Sequence, residues 1–387
     1  MKIVVLKFGG TSVGSISRIK KIAKIIHQHI KTKKKVIVVS SAMSGVTNEL
    51  IKKTKQISDN FSPSEHDVMV SSGEQMSCAL IAGRLNHLGI KSRSWLSWQV
   101  PILTEGDFKK SRITNILKKR ILKYLETGGV PIITGFQGVN LENRITTLER
   151  GGSDASAIMI AKYFKAEKCI IYTDVEGVYT TDPNVFKNAK KIQKISYEEM
   201  LEMSSLGAKV MQPASIQDAR LNRINVDVRS SFVNQAGTLI TKKKNIPQNK
   251  IITGISFTKN DSKITLLGVV DKPGIAASIF EPLSKNSINV DMVVQNISSD
   301  GKQTDLTFTV KNEDTIKTEK LLKKNKNIKF KNILIKKNVS KISIIGVGMI
   351  TTPGVTYRMF KALAKQKINI QVISTSEIKI SVLIGKQ

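Results

Sequence analysis

Wholly apolar runs alternate with stretches of helical period over the first 240 or so residues. The first run, Val4-Val5-Leu6, passes into Lys7-Phe8-Gly9-Gly10-Thr11-Ser12, and apolar residues then recur at Ile16, Ile19, Ile22, Ala23 and Ile26. Further apolar runs lie at 35–40, 130–134, 169–173 and 224–228, with helical patterns over 74–88, 112–126, 154–165 and 197–203. Runs that are apolar throughout, rather than alternating, fit strands covered on both faces. The pattern therefore predicts an α/β fold, a three-layer sandwich with a mainly parallel sheet.

After a polar stretch at 242–250 the period changes and the chain repeats itself. A strand at 263–268 is followed by Pro273-Gly274, a helix carrying Ile275, Ile279 and Leu283, and then Ile288-Asn289-Val290. A strand at 341–346 is followed by Pro353-Gly354, a helix carrying Val355, Met359 and Leu363, and then Ile368-Asn369-Ile370. The first copy continues as a hairpin around Asp300-Gly301, a lysine-rich helix and a strand at 328–335. This is the βαββαβ order of an α+β, ferredoxin-like unit, here in tandem. The expected division is 1–241, a linker at 242–250, a first repeat at 251–338 and a second at 339–387.

Composition narrows the function. The formal charge of +32 comes from 62 basic against 30 acidic residues, but the excess is mostly lysine spread along the chain. Clusters such as Lys33-Lys34-Lys35 and Lys242-Lys243-Lys244 lack interleaved aromatics, so no nucleic-acid partner is expected. No run is long and apolar enough to span a membrane, and no secretory pattern opens the chain. Cys78 and Cys169 sit in apolar stretches and read as core residues of a cytoplasmic protein.

Five segments carry chemistry. Lys7-Phe8-Gly9-Gly10 places a cation and bare amides at a strand-to-helix junction, where an anion is well held, although a plain tight turn has the same residues. Neither G-x-G-x-x-G nor the P-loop pattern is present. Arg150-Gly151-Gly152-Ser153-Asp154 enters a second helix with a guanidinium fork, amides and an acid. Residues 40–48 are rich in hydroxyls, and Ser71-Ser72-Gly73-Glu74 is expected to open a helix, with Glu74 in the first turn either for the dipole or for a substrate ammonium. Thr173-Asp174 and the residues up to Pro183 follow a buried strand, at the sheet end where α/β sites gather. None of the four histidines falls in these segments, which leaves nucleophilic hydrolysis and zinc chemistry without support. The set suits phosphoryl transfer to an acceptor that is already ionised, with Lys7 neutralising the moving group.

These motifs, in order and spacing, resemble the aspartate kinase family, an amino acid kinase domain followed by two ACT units. Asp271-Lys272-Pro273-Gly274, Asn289-Val290-Asp291-Met292 and Ser374-Thr375-Ser376-Glu377 match its regulatory part. The resemblance implies phosphorylation of L-aspartate by ATP with Mg²⁺, at the entry to lysine, threonine and methionine synthesis. It implies catalytic roles for Lys7 and Asp154, and no metal held by the protein alone. ATP would be surrounded by Lys7, Phe8, Gly9, Gly10, Ser41, Thr173, Asp174, Tyr179, Lys209 and Val210. Aspartate would be held by Thr47, Glu74, Arg150, Gly151, Gly152 and Ser153. Lysine or threonine, as effector, would meet Asp271, Gly274, Ile275, Asn289, Asp291, Gln295 and Asn296, where ACT units pair in a homodimer or higher oligomer. The alternative is a catalytically weakened, amino-acid-sensing regulatory subunit.

Three departures accompany the resemblance. Glu149 stands where the family usually has glycine, and Asn184 where many relatives carry arginine. Relatives also continue beyond the strand at 378–384 with a helix and a strand. Either residues 251–258 complete the second unit or that unit is shortened.

Overall fold

A computed structural model describes all residues except 1, 150, 206–209, 247–249, 298–302, 326 and 386–387. The chain divides into two compact units, residues 1–247 and 248–387.

The first unit opens with β1 (Ile3–Phe8), α1 (Ile16–Lys31), β2 (Lys35–Ser40), α2 (Val46–Ile57) and α3 (Pro63–His87). Next come β3 (Ser92–Trp95), β4 (Ile102–Glu105), β5 (Arg112–Ile116), α4 (Lys119–Glu126), β6 (Val130–Thr134), β7 (Gln137–Val139), β8 (Ile145–Thr147) and α5 (Gly152–Tyr163). It continues with β9 (Lys168–Thr173), β10 (Lys194–Ser196), α6 (Tyr197–Ser205), α7 (Pro213–Leu221), β11 (Val226–Ser230) and β12 (Thr238–Thr241). Eight strands form one sheet in the order β10-β12-β11-β9-β1-β2-β6-β3, parallel at every pairing but β11–β12. Every residue of β1 is buried, as its unbroken apolar run requires.

Ile19, Ile22, Ala23 and Ile26 form the buried stripe of α1 and pack with Val4, Leu6 and Phe8, whereas Ile16 stands outside it, exposed. Ser15 caps α1, its side chain accepting from the Arg18 amide. α5 is buried almost all round, and its Gly, Ser and Ala residues let it lie close to β1, β2 and β9.

Two helical expectations shift. Residues 112–116 form a strand, and only 119–126 are helical. The helix expected from 74 begins at Pro63, so Glu74 sits in mid-helix, beyond reach of the terminal dipole. The start was hidden because the first three turns carry Asp67 and Ser71 on positions that read as polar but pack inward. Asp67 is fully buried, and its carboxylate accepts from the amides of Lys109 and Thr147 and from the Thr147 hydroxyl, at 2.7–2.9 Å. This carboxylate ties α3 to a second sheet, β5-β4-β7-β8.

The second unit contains β13 (Gly254–Val270), α8 (Ile275–Lys285), β14 (Asp291–Ile297), β15 (Gln303–Lys311), α9 (Thr315–Lys324), β16 (Asn332–Ile345), α10 (Val355–Lys365), β17 (Ile370–Ser376) and β18 (Lys379–Ile384). The expected hairpin tip at Asp300-Gly301 lies outside the described residues. One antiparallel sheet runs β14-β15-β13-β16-β18-β17. The strand expected at 328–335 starts at Asn332 and continues into the first strand of the second repeat, as the single element β16. β13 is equally long. Its second part pairs with β15, while Gly254–Thr258 runs antiparallel to Lys341–Ile345. Residues 254–258 thus lie beside the second repeat, in the place of a strand that follows it in sequence. Met292 of β14 and Val372 of β17 share a small core with Val339 and Leu383, so the sheet curls until its edge strands approach.

Candidate functional site

Five parallel strands of the first unit end level with one another. Phe8 of β1 lies opposite Ser40 of β2 and Tyr172 of β9, Ser40 opposite Thr134 of β6, and Tyr172 opposite Arg229 of β11. From β1 the chain turns towards β2, and from β9 towards β11, so the order reverses between β1 and β9. In open α/β sheets this reversal opens a crevice at the carboxyl ends.

Alternation along β1 sends Val4, Leu6 and Phe8 into the core with α1 and Lys7 to the opposite face, against α5. Lys7 Nζ lies 2.6 Å from Asp154 Oδ1, with side chains only 10% and 12% exposed. Oδ1 receives no aligned hydrogen bond, so the contact is Coulombic and strengthened by the scarcity of water around it. Asp154 stands in the first turn of α5, where the dipole favours its charge. Gly151, the N-cap of α5, has φ +85°, and a Cβ there would meet Gln212 at 2.3 Å, so glycine is required twice over.

The glycine turn is less open than its sequence implied. The Gly9 amide donates to Tyr172 O at 3.0 Å, and Gly9 O accepts from Ser12 and Val13. Gly10 O accepts from Ser44, and a Cβ on Gly10 would press on Ala42 O at 3.0 Å. The amides of Gly10 and Thr11, and those of Gly151 and Ser153 at the start of α5, make no hydrogen bond among the described residues. These are the donors left for an anion. The side chain of Phe8 is a core group, so any part Phe8 plays in holding a nucleotide falls to its backbone. Its side chain is fully buried and stacks on Tyr172 at 4.9 Å, on the face away from Lys7.

Glu74 reaches the same region from α3. Oε1 accepts from the Ala42 amide at 3.0 Å, while Oε2 is buried without a partner among the described residues. Burial pushes the carboxyl up to about 8. Its Ala42 contact holds the loop after Ser41, and Thr47 lies beyond that loop in the first turn of α2. Ser153 touches the position a side chain on Gly135 would need.

Thr173 and Asp174 form an exposed lip, with Thr173 Oγ1 donating to Asp174 Oδ1 at 3.1 Å. Tyr179 donates to Glu176 at 3.2 Å, and Glu176 lies 3.8 Å from Lys191. Val210 is half-buried beside the buried Met211. Arg150 and Lys209 lie outside the described residues. No cluster of three His, Cys, Asp or Glu side chains able to hold a metal ion occurs among the described residues.

In the second unit, Asp271 and Gly274 lie just before α8 and Asn289 just before β14, which carries Asp291, Gln295 and Asn296. Asp291 pairs with the buried Lys341. Ile275 is buried, 5% exposed and packed with Ile279 and Leu283, and its amide donates to Lys272 O. Sequence reading missed Ser231, which bonds Ser12 across 219 positions; no local pattern marks such a pair.

Comparison with known proteins agrees with this geometry. Residues 2–230 match the amino acid kinase family, and residues 264–325 and 342–387 match an ACT domain. The aspartate kinase of Pseudomonas putida is 45% identical over 389 residues, covering 100% of this chain and 94% of that protein. The aspartokinase of Helicobacter pylori strain J99 is 44% identical, covering 99% of this chain and 95% of its own. The crystal structure of E. coli aspartokinase III in complex with aspartate and ADP superposes with a TM-score of 0.81 at 26% identity, covering 99% and 96% of the two chains. Its complex with lysine and aspartate gives 0.80 at 26% identity, covering 100% and 96%. The chain belongs to the amino acid kinase family and, within it, to the ATP-dependent aspartate kinases.

Proposed function

We propose that the chain transfers the γ-phosphoryl group of ATP to the side-chain carboxylate of L-aspartate, giving 4-phospho-L-aspartate, under feedback control by lysine, threonine or both. The observation that carries the catalytic part is the Lys7–Asp154 pair, set between two groups of free amides at the switch point of the sheet.

The chemistry follows from these groups. The acceptor carboxylate is ionised at neutral pH, so the enzyme needs no base and must instead align the two substrates and offset charge. Gly10 and Thr11, with Gly151 and Ser153, offer amides to phosphate oxygens from two sides. Lys7 stands where its ammonium meets charge building on the transferred group, and Asp154 keeps that ammonium in place. Glu74 presents an unpartnered carboxyl oxygen to the α-ammonium of aspartate. Arg150 would take a carboxylate, and the lip at Thr173 and Asp174 the nucleoside. Mg²⁺ fits this donor set as an ion carried mainly by phosphate oxygens, since the described residues build no cage for it. Bound, it would spread the charge of the polyphosphate.

Regulation belongs to the second unit. β14 is an edge strand, paired only with β15, and it carries Asp291, Gln295 and Asn296. Such an edge suits pairing with a second copy, and an amino-acid effector there. The lysine complex of E. coli aspartokinase III supports lysine as one effector. The reaction would open lysine, threonine and methionine synthesis in the cytoplasm.

The test is acyl phosphate formation. Mg-ATP and L-aspartate are incubated with the protein, the product is trapped as its hydroxamate, and lysine plus threonine are added in a parallel series. Aspartate-dependent product that disappears in Lys7→Ala is expected. Product formed equally by Lys7→Ala, or none formed from aspartate by the wild type, overturns the reading.

A further inference from the structure

Arg18 lies in the first turn of α1, outside every motif read from the sequence, yet its side chain reaches the segment after β11. Nη2 donates to Ser231 Oγ at 3.0 Å and to Ser231 O at 3.3 Å, and the guanidinium stands 3.3 Å from the centre of the Phe232 ring. Ser231 passes the restraint on. Its amide donates to Thr173 O at 2.9 Å, its hydroxyl to the same oxygen at 3.2 Å, and its Oγ lies 2.8 Å from Ser12 Oγ. Ser12 is itself bonded to Tyr172 O at 3.3 Å.

Three segments meet at this point. Ser12 belongs to the turn that carries the free Gly10 and Thr11 amides. Thr173 begins the lip at the end of β9. Ser231 follows the last residue of β11. Among the described residues the contacts of Arg18 run to Ser231 and Phe232 rather than to the ion pair, so its route to the site is through Ser231 and Ser12.

We propose that Arg18 is a positioning residue for the nucleotide, fixing through Ser231 the separation between the Gly9–Gly10 turn and the Thr173–Asp174 lip. The residue type fits the task. From Nη2 the guanidinium donates to a hydroxyl and a carbonyl while it lies over an aromatic ring, a flat cation suited to that close approach. Among the described residues Arg18 Nε is meanwhile buried without a partner.

The proposal rests on the reading of this end of the sheet as an ATP site. Arg18→Met, Arg18→Lys and Ser231→Ala in the full-length enzyme provide the test, with kcat, KM for ATP, KM for aspartate and melting temperature measured for each. Arg18→Met should raise KM for ATP about tenfold, the effect of one charge-assisted hydrogen bond. KM for aspartate and the melting temperature should not move, and Ser231→Ala should reproduce the same split. Arg18→Lys should recover part of the loss. An unchanged KM for ATP overturns the proposal, as does a parallel rise in both KM values with a fall in melting temperature, which marks a merely structural role. Wild-type turnover with ATP and aspartate stands as a separate control on the underlying reading. If the wild type does not turn over, calorimetric titration with ADP reads the same Arg18 effect as a loss of affinity or as none.

Discussion

Lys7 and Asp154 form an ion pair at 2.6 Å in which the two partners are not equivalent. Asp154 sits at a helix start whose dipole supports its charge, whereas Lys7 rises near the end of a buried strand, with Asp154 as its ion-pair partner among the described residues. Removing the ammonium should therefore abolish catalysis with little loss of fold, and removing the carboxylate should damage both. Lys7→Met is expected to lower kcat by at least about 10²–10³, the range for losing one charge-stabilising group. Asp154→Asn should lower kcat comparably and also depress the melting temperature below that of Lys7→Met, because it strands a buried ammonium. A Lys7→Met enzyme within tenfold of wild type would show that charge neutralisation lies elsewhere.

If Glu74 receives the ammonium of aspartate, substrate affinity should depend on pH. Its carboxyl titrates at about 8 in the free enzyme, because burial disfavours the charged form. An ammonium requires the ionised form, so KM for aspartate should fall as pH rises from 6 towards 8 and then level off. The effect on folding has the opposite sign. The folded state keeps a proton that the unfolded chain has shed above the ordinary carboxylate range, so this contribution to stability is complete at low pH and is lost as pH rises through 8. Glu74→Gln should raise KM for aspartate and flatten its pH profile. A wild-type KM that does not vary between pH 6 and 8 removes Glu74 from ammonium recognition.

Two glycines should respond oppositely to alanine. A Cβ on Gly237 would sit 1.8 Å from Val228 O, at the turn joining β11 to β12 just beyond Ser231, and that oxygen belongs to backbone already paired in the sheet. Gly237→Ala should cost at least about 1–3 kcal/mol, the range for overpacking. Gly83 is inside α3 with no atom within 4 Å of the would-be Cβ. Gly83→Ala should gain about 0.5–1 kcal/mol through helix propensity and a less flexible unfolded chain. Urea unfolding of both variants measures the difference, and equal effects would contradict the local geometry.

How far the sequence disclosed this arrangement depended on the range of the interaction. Strands such as β1 and β9 were legible because burial on both faces leaves an unbroken apolar run. The Gly9–Gly10 and Gly151–Gly152 turns were legible as strand-to-helix and loop-to-helix junctions because paired glycines there precede a helical pattern, although a plain tight turn has the same residues. The commitment of the Gly9 amide to Tyr172 was not legible, since it depends on strand pairing across 163 positions. Glu74 was recognised but misplaced, because its helix begins with inward polar residues that Asp67 satisfies. Phe8 and Ile275 were read through their neighbours in a motif, and the burial of both side chains was not legible there, because it depends on packing against distant elements. The merging of two repeat strands into β16 leaves no mark in a pattern of period two, which has the same appearance whether the chain stops or continues.

The pairing of Asp291 with Lys341 complicates how loss of feedback is read. Lys341 is 4% exposed on β16, and Asp291, on β14, brings the counter-charge to it as the sheet curls. Burial acts to raise the Asp291 carboxyl, but the Lys341 ammonium, the Met292 amide and the nearby Lys379 prevail and hold it below the usual carboxylate range. Asp291→Asn leaves the ammonium buried without its carboxylate, which should cost the second unit about 3 kcal/mol. Lys341→Met should cost less, because the Asp291 side chain remains largely exposed to water. If Asp291 also touches the effector, a variant at this position loses inhibition for two separable reasons. The double variant Asp291→Leu with Lys341→Met removes both charges and should recover most of the melting temperature. Inhibition by lysine or threonine should stay absent in it if the contact matters, and should return if only folding of the unit was at stake. A melting temperature for Asp291→Asn equal to wild type would mean that the pair contributes nothing to the fold.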